Sequence, residues 1–257
     1  MHSKISIRGL NYGIIENLNL NIYDNKITII TGKNNSGKTT LLKCIAGILN
    51  YKGEIYIDEE KALIMNKNIG LYLGNINLQD GTVFSNIIEP LNNLSIDITE
   101  SKKSVYKILK KLDIENLANK NIQELSYNQK RIVAFCKSVI HSPNTILLDN
   151  PLDDIDIYYR TKIIEYLFEL KNKNKITIIL STSKSDDIML GDYIVILNNG
   201  KVVANGNRNN ILKQENIFIK NGVNLPFVVE LSHKLKSYKL IEKIIYDNKK
   251  LVDEIWK

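Results

Sequence analysis

An α/β fold with a mostly parallel sheet is predicted by three features of the sequence. Short apolar runs of strand length, at 27–30, 69–73, 145–148 and 176–180, alternate with stretches whose apolar residues recur at helical spacing. A glycine-rich segment, Thr31-Gly32-Lys33-Asn34-Asn35-Ser36-Gly37-Lys38-Thr39-Thr40, stands between one such run and a helical pattern opening at Leu41. The run Thr145-Ile146-Leu147-Leu148-Asp149 is apolar until it ends in a carboxylate.

The elements follow in order. Ile5 and Ile7, then Leu18, Leu20 and Ile22, alternate with polar residues as half-buried strands do, and predict an antiparallel β part. Tyr12, between them, is either a strand-edge aromatic or a ring placed to stack on a base. Leu41, Leu42, Ile45 and Leu49 predict one helix, with Gly47 allowing close packing, and 53–57 and 69–73 predict two strands. From Asn75 the character turns helical, with 87–94 and then Val105, Ile108, Leu109 and Leu112 at helical spacing; this predicts a helical subdomain over about 75–128, inserted into the α/β body. Leu125-Ser126-Tyr127-Asn128-Gln129 leads into a helix carrying Ile132, Val133, Phe135, Cys136 and Ile140. A helix over 158–170, a strand over 176–180 and two strands around Val195 and Val202, joined by Asn199-Gly200, complete the body.

Composition bounds the function. The chain has 257 residues, 44% hydrophobic and 25% charged, which is globular usage. The formal net charge of +7 would suit an anionic partner, but the lysines are scattered among Asn and Ile rather than clustered, so a solvated surface and no nucleic-acid partner are expected. Cys44 and Cys136 each sit in an apolar helical pattern and match neither a metal site nor a redox pair. No apolar run approaches the ~20 residues of a membrane helix, and the first residues pass directly into strand alternation, so any link to a membrane is expected to run through a partner.

The glycine-rich segment carries the chemistry. Gly32, Gly37, Lys38 and Thr39 have the spacing of a phosphate-binding loop. Glycines let the backbone N–H groups of residues 32–40 close around phosphate oxygens at the positive end of the following helix. Lys38 would reach the β/γ-phosphates and Thr39 would hold Mg²⁺. ATP with Mg²⁺ is the expected ligand pair, held by Gly32, Lys33, Asn34, Asn35, Ser36, Gly37, Lys38, Thr39 and Thr40.

By their order and spacing, Tyr12, this loop, the strand ending at Leu73, Leu125-Ser126 with Gln129, the Asp149 strand, Asp156 and the strand ending at Leu180 resemble the nucleotide-binding subunit of an ATP-binding cassette (ABC) transporter over about residues 4–215. The resemblance implies adenine stacking by Tyr12 and a Mg²⁺ site at Thr39 and Asp149. It also implies contact of Ser126 and Asn128 with a nucleotide on a second ABC subunit, and a place on the cytoplasmic face of a membrane beneath a transmembrane subunit. The tail, Asn221-Gly222-Val223-Asn224-Leu225-Pro226-Phe227 with Leu231-Ser232-His233-Lys234-Leu235, resembles the C-terminal extension of the A subunits of energy-coupling factor (ECF) transporters, importers of vitamins or metal ions. Asn75 to Gln79 aligns with a pattern of the same group. A cassette over 1–220 and a helical extension over 221–257 are expected.

The departures from the family are as informative. The glutamate expected after Asp149 is Asn150, a neutral amide, and the expected switch histidine is Ser183. The first Q-loop glutamine aligns with Gly74, leaving Asn75 or Gln79 as stand-ins. Tyr127 and Asn128 replace two signature glycines; Asn128 suits that place if its backbone is left-handed. Groups that grip ATP and Mg²⁺ remain, whereas groups that speed attack on the γ-phosphate are replaced. The expectation is ATP binding with little turnover by this chain. A soluble ABC protein acting on nucleic acid or as a scaffold is the alternative, favoured by the charge. A P-loop kinase would want an Arg-rich lid, and Arg occurs only at 8, 131, 160 and 208.

Overall fold

The computed structural model describes residues 3–62, 68–74 and 76–256. Two sheets stack with one helix between them. The antiparallel sheet consists of β1 (Ser3–Tyr12), β2 (Ile15–Tyr23), β4 (Lys52–Ile57) and β5 (Glu60–Lys61), in the order β2-β1-β4-β5. The second sheet contains β3 (Ile27–Thr31), β6 (Ile69–Tyr72), β7 (Thr145–Asp149), β8 (Thr177–Thr182), β9 (Tyr193–Asn198) and β10 (Lys201–Asn207), in the order β10-β9-β3-β8-β7-β6. Its neighbours pair in parallel except β9 with β10, which close a hairpin at Asn199-Gly200. The α/β class, the mostly parallel sheet and the antiparallel part are as the sequence predicts.

Strands β3, β7 and β8 are buried along their whole length, as parallel strands covered on both faces are. Their alternating side chains feed two cores. Ile29, Ile146, Leu148, Ile178 and Leu180 face one set of helices. Ile30, Leu147 and Ile179 face α1 (Lys38–Ile45) and the antiparallel sheet. Cys44 lies in the second core and Cys136 in the first, both free and buried. Burial pushes the Cys44 thiol up to about 11. The helix expected through Leu49 ends at Ile45, because Gly47 adopts a φ of 71 and turns the chain.

Three helices follow at the β6 edge: α4 (Tyr127–Val139) packs on β6, α2 (Val83–Asn93) on α4, and α3 (Ile98–Lys111) on α2. Helix α2 starts four residues before the periodicity at Ile87 because Thr82 caps it, its hydroxyl accepting from the Ser85 N–H. Helix α5 (Ile157–Asn174) is capped by Asp156 and stops at Lys175, φ 58. The C-terminal region holds α6 (Arg208–Leu212), α7 (Glu215–Asn221), α8 (Phe227–Ser237) and α9 (Asn248–Ile255). Phe218, Val229, Ile241 and Leu251 from this region join the same core as Ile29 and Ile146. No helix among the described residues is long and apolar enough to cross a membrane.

Candidate functional site

Parallel pairing brings the carboxyl ends of β3, β8 and β7 side by side, where open α/β sheets bind ligands. From the end of β3 the chain turns through residues 32–37 into α1. Gly32 has φ 155, and a Cβ there would come within 2.2 Å of the Leu197 carbonyl oxygen, so the loop can lie against β9 only with glycine at this place. The Gly200 N–H donates to Ser36 O at 3.0 Å and ties the β9–β10 turn to the loop.

Lys38, at the first position of α1, is 6% exposed. Its Nζ donates to the carbonyls of Gly32 at 2.8 Å and Lys33 at 2.9 Å, so the ammonium lies folded under the loop it follows. Burial lowers its pKa from the usual lysine value, opposed by the Asp149 and Asp153 carboxylates. Beside it the Thr39 hydroxyl donates to Asp149 Oδ2 at 2.6 Å, and the Ser181 hydroxyl donates to Asp149 Oδ1. Both carboxylate oxygens are therefore held by hydroxyls.

Asn150 follows in a left-handed conformation, φ 48. Its N–H donates to Ser181 O at 3.2 Å and lies 3.2 Å from Ser181 Oγ; its carbonyl accepts from Arg131 Nη2 at 3.0 Å. The Ser183 hydroxyl donates to Asn34 Oδ1 at 3.3 Å, which puts the position aligned with the histidine directly over the loop. Asn34, Asn35 and residues 37–40 line a cavity of about 670 Å³, with Ile14, Asn150 and Ser183 on its rim.

The donor set fits the expected ligands. An ammonium and the N–H groups at the start of a helix suit phosphate oxygens. A hydroxyl beside a carboxylate, both hard oxygen donors, suits Mg²⁺. Among the described residues no cluster of three His, Cys, Asp or Glu offers another metal site.

The structure brings Thr39, Asp149, Asn150 and Ser183 together with the loop and leaves two expected contacts, those of Tyr12 and Gln79, elsewhere. Tyr12 closes β1 and is 38% exposed; Ile14, two residues on, is the aromatic's neighbour that actually lines the cavity. Gln79 turns to α2, donating its side-chain N–H to Glu89 Oε1 at 3.2 Å and its backbone N–H to Asn86 Oδ1 at 2.7 Å. Asn75 lies outside the described residues. Ser126 and Asn128 open α4, away from the cavity. Ser126 is its N-cap in a capping box with Gln129. Asn128 is right-handed helix, so the left-handed geometry considered for it is not adopted, and its amide is no longer explained by backbone need. Three contributors were not expected as site residues: Ile14, Ser181 and Arg131. Of these, only Ile14 could have been anticipated, as an apolar residue directly after the Gly13 turn.

A sequence profile of the family described as ABC transporter matches residues 15–153. The energy-coupling factor transporter ATP-binding protein EcfA of Pediococcus pentosaceus is 29% identical over 247 residues, covering 90% of this chain and 88% of that protein. The energy-coupling factor transporter ATP-binding protein EcfA1 of Oenococcus oeni is 28% identical, covering 98% and 97%. Among solved structures, cbiO1 of Clostridium perfringens, described as part of the ABC transporter complex cbiONQ, superposes with a TM-score of 0.75 at 25% identity, over 90% of this chain and 99% of that one. The dimeric bacterial ABC transporter cassette MJ0796 superposes with a TM-score of 0.73 at 26% identity, over 79% and 98%.

Proposed function

The chain belongs to the ABC transporter family, and from that premise we propose that it is the ATP-binding subunit of a membrane importer of the energy-coupling factor kind, one that grips ATP with Mg²⁺ and turns it over slowly at its own site. One observation carries this reading: the Asp149 carboxylate is held by the Thr39 and Ser181 hydroxyls beside the loop, while the residue after it, which lines the cavity, is an amide. An amide cannot take a proton from water, and loss of a positioned base costs on the order of a hundred- to ten-thousand-fold in rate. Ser183 over Asn34 keeps a hydroxyl where an imidazole would sit, so neither replaced group offers a base near neutral pH. Mg²⁺, when bound, would supply charge neutralisation of the phosphates.

Residues 1–220 make the cassette in this reading and 221–257 its helical extension. Head-to-tail pairing with a second ABC subunit is supported by the placement of Ser126 at the open start of α4, away from its own cavity. A groove of about 630 Å³ lined by apolar residues such as Leu71, Tyr72 and Ala134, and also by Asn77, Lys137 and His141, suits an amphipathic helix of a transmembrane subunit, which would hold the chain peripherally at the cytoplasmic face. The solute, a vitamin or a metal ion, would be chosen by another subunit.

Co-purification from native membranes tests the reading. A transmembrane subunit and a second cassette should come down with this chain, with ATP retained on it. Recovery of the chain alone, or with nucleic acid, contradicts it.

A further inference from the structure

Arg131 is 5% exposed, and among the described residues no carboxylate lies within ion-pair distance of it. Its partners are neutral. Nη2 donates to Asn150 O at 3.0 Å and Nη1 to the Tyr127 phenol oxygen at 3.3 Å. The guanidinium carbon lies 5.9 Å from the Tyr72 ring centre and 5.8 Å from that of Tyr127, within cation–π range. Its Nε is buried without a hydrogen-bond partner, and so is the Tyr72 hydroxyl. A desolvated guanidinium held by a carbonyl, a phenol and two ring faces is a costly way to fill space; an apolar side chain of the same volume would serve packing better.

What the cation reaches is a cavity residue with a left-handed backbone. Asn150 has φ 48, a conformation that L-residues other than Asn and Asp resist. The two peptide groups flanking it are pinned from opposite sides, the N–H by Ser181 on β8 and the carbonyl by Arg131 on α4. Between these two holds Asn150 lines the cavity, and its Oδ1 is buried and unpartnered. Releasing the carbonyl leaves only Ser181 and the Asp153 N–H, at 3.3 Å from the same carbonyl, against the left-handed strain.

We infer that Arg131 is a positioning residue that holds the Asn150 amide at the outer end of the phosphate cavity, and so gives the site its preference for ATP over ADP. The inference rests on the nucleotide reading above. Lys38 and Thr39, on the loop, would hold the phosphates common to both nucleotides, and Asn150, which lines the same cavity from the end of β7, would meet the additional phosphate of ATP.

The test measures affinity for fluorescent ATP and ADP analogues in Mg²⁺ on the full chain, for wild type, Arg131→Met, Arg131→Lys and Asn150→Ala. Met keeps the bulk and removes the donors. Arg131→Met should leave ADP affinity within twofold and weaken ATP by about tenfold, as for loss of a hydrogen bond of a charged donor. Lys, which can give one bond to the Asn150 carbonyl, should restore part of the difference. Asn150→Ala should show the same loss, and combining it with Arg131→Met should add nothing further. An ATP-to-ADP ratio unchanged in Arg131→Met, or a wild-type ratio near one, overturns the inference. If wild type binds neither nucleotide, the nucleotide reading itself fails. If Arg131→Met does not fold, the ratio in Arg131→Lys and Asn150→Ala decides: no change in either overturns the inference.

Discussion

The Thr39 hydroxyl donates to Asp149 Oδ2 at 2.6 Å, joining the first turn of α1 to the end of β7 across 110 residues of sequence. Each residue comes from a different strand crossover, and the bond forms because β3 and β7 flank β8 with their carboxyl ends level. Replacing Asp149 with Asn keeps the shape and removes the charge. Mg²⁺ should then cease to strengthen ATP binding, read as affinities with and without the metal; an undiminished Mg²⁺ effect would place the metal elsewhere.

Lys38→Ala should abolish binding of a fluorescent ATP analogue, weakening it by roughly a hundredfold or more, because a charge-assisted contact is lost from a dry site. The melting temperature should hardly fall, since the ammonium hydrogen-bonds only to carbonyls and its desolvation outweighs the attraction of the Asp149 and Asp153 carboxylates. Unchanged affinity would remove the phosphate-loop assignment.

The lowered Lys38 pKa gives a pH dependence with a defined sign. The group must be protonated to hold phosphate, and in the folded chain it loses its proton below the ordinary lysine value of 10.5. ATP affinity should therefore decline on the alkaline side at pH values below 10.5. The stability contribution runs the other way: the cost of burying the charge is present in full below the folded pKa and is relieved as pH rises towards 10.5. Titration of ATP affinity from pH 7 upward checks this, and a flat profile to pH 10.5 contradicts it.

Gly222, just after α7, meets the phosphate loop at Lys33. Gly222 has φ 60, and a Cβ on it would come within 2.0 Å of Lys33 Cε. Close by, Asn221 Oδ1 accepts from Asn198 Nδ2 at 2.9 Å, and the Phe227 N–H donates to Asp186 Oδ1 at 3.3 Å, three residues after Ser183. Gly222→Val should cost about 1–2 kcal/mol from the left-handed strain alone, lowering the melting temperature by a few degrees. Adding Lys33→Ala should recover the part due to the clash and none of the part due to φ. Full recovery, or no loss at all, would contradict the contact.

Much of this was legible in the sequence, for physical reasons. The wholly apolar strands β3, β7 and β8 and the glycine loop report themselves because burial on both faces and close backbone approach admit few residue types. Asp149 was readable because a carboxylate ending such a strand has no structural use. Ser181 was not, since a serine in a buried strand gives no hint of which strand end it will meet. Arg131 was hidden by lying in an otherwise ordinary helix, its partner Asn150 being fixed only once α4 packs on β6 beside the end of β7. The start of α2 was lost because a cap, Thr82, rather than periodicity defines it.

Joint substitution Asn150→Glu and Ser183→His should raise hydrolysis by the assembled complex by about a hundredfold or more, less a cost of about 1 kcal/mol for glutamate at φ 48. No gain would assign the block to Tyr127, 56% exposed at the start of α4, or to Gly74.

Retention of ATP without cleavage is read by simultaneous measurement of bound ATP and released phosphate on the purified chain in Mg²⁺. Near-stoichiometric ATP with turnover at or below about 0.1 per second is the result expected from an ordinary enzymatic rate reduced by loss of its base. Rapid phosphate release, with ADP left in the site, would contradict it.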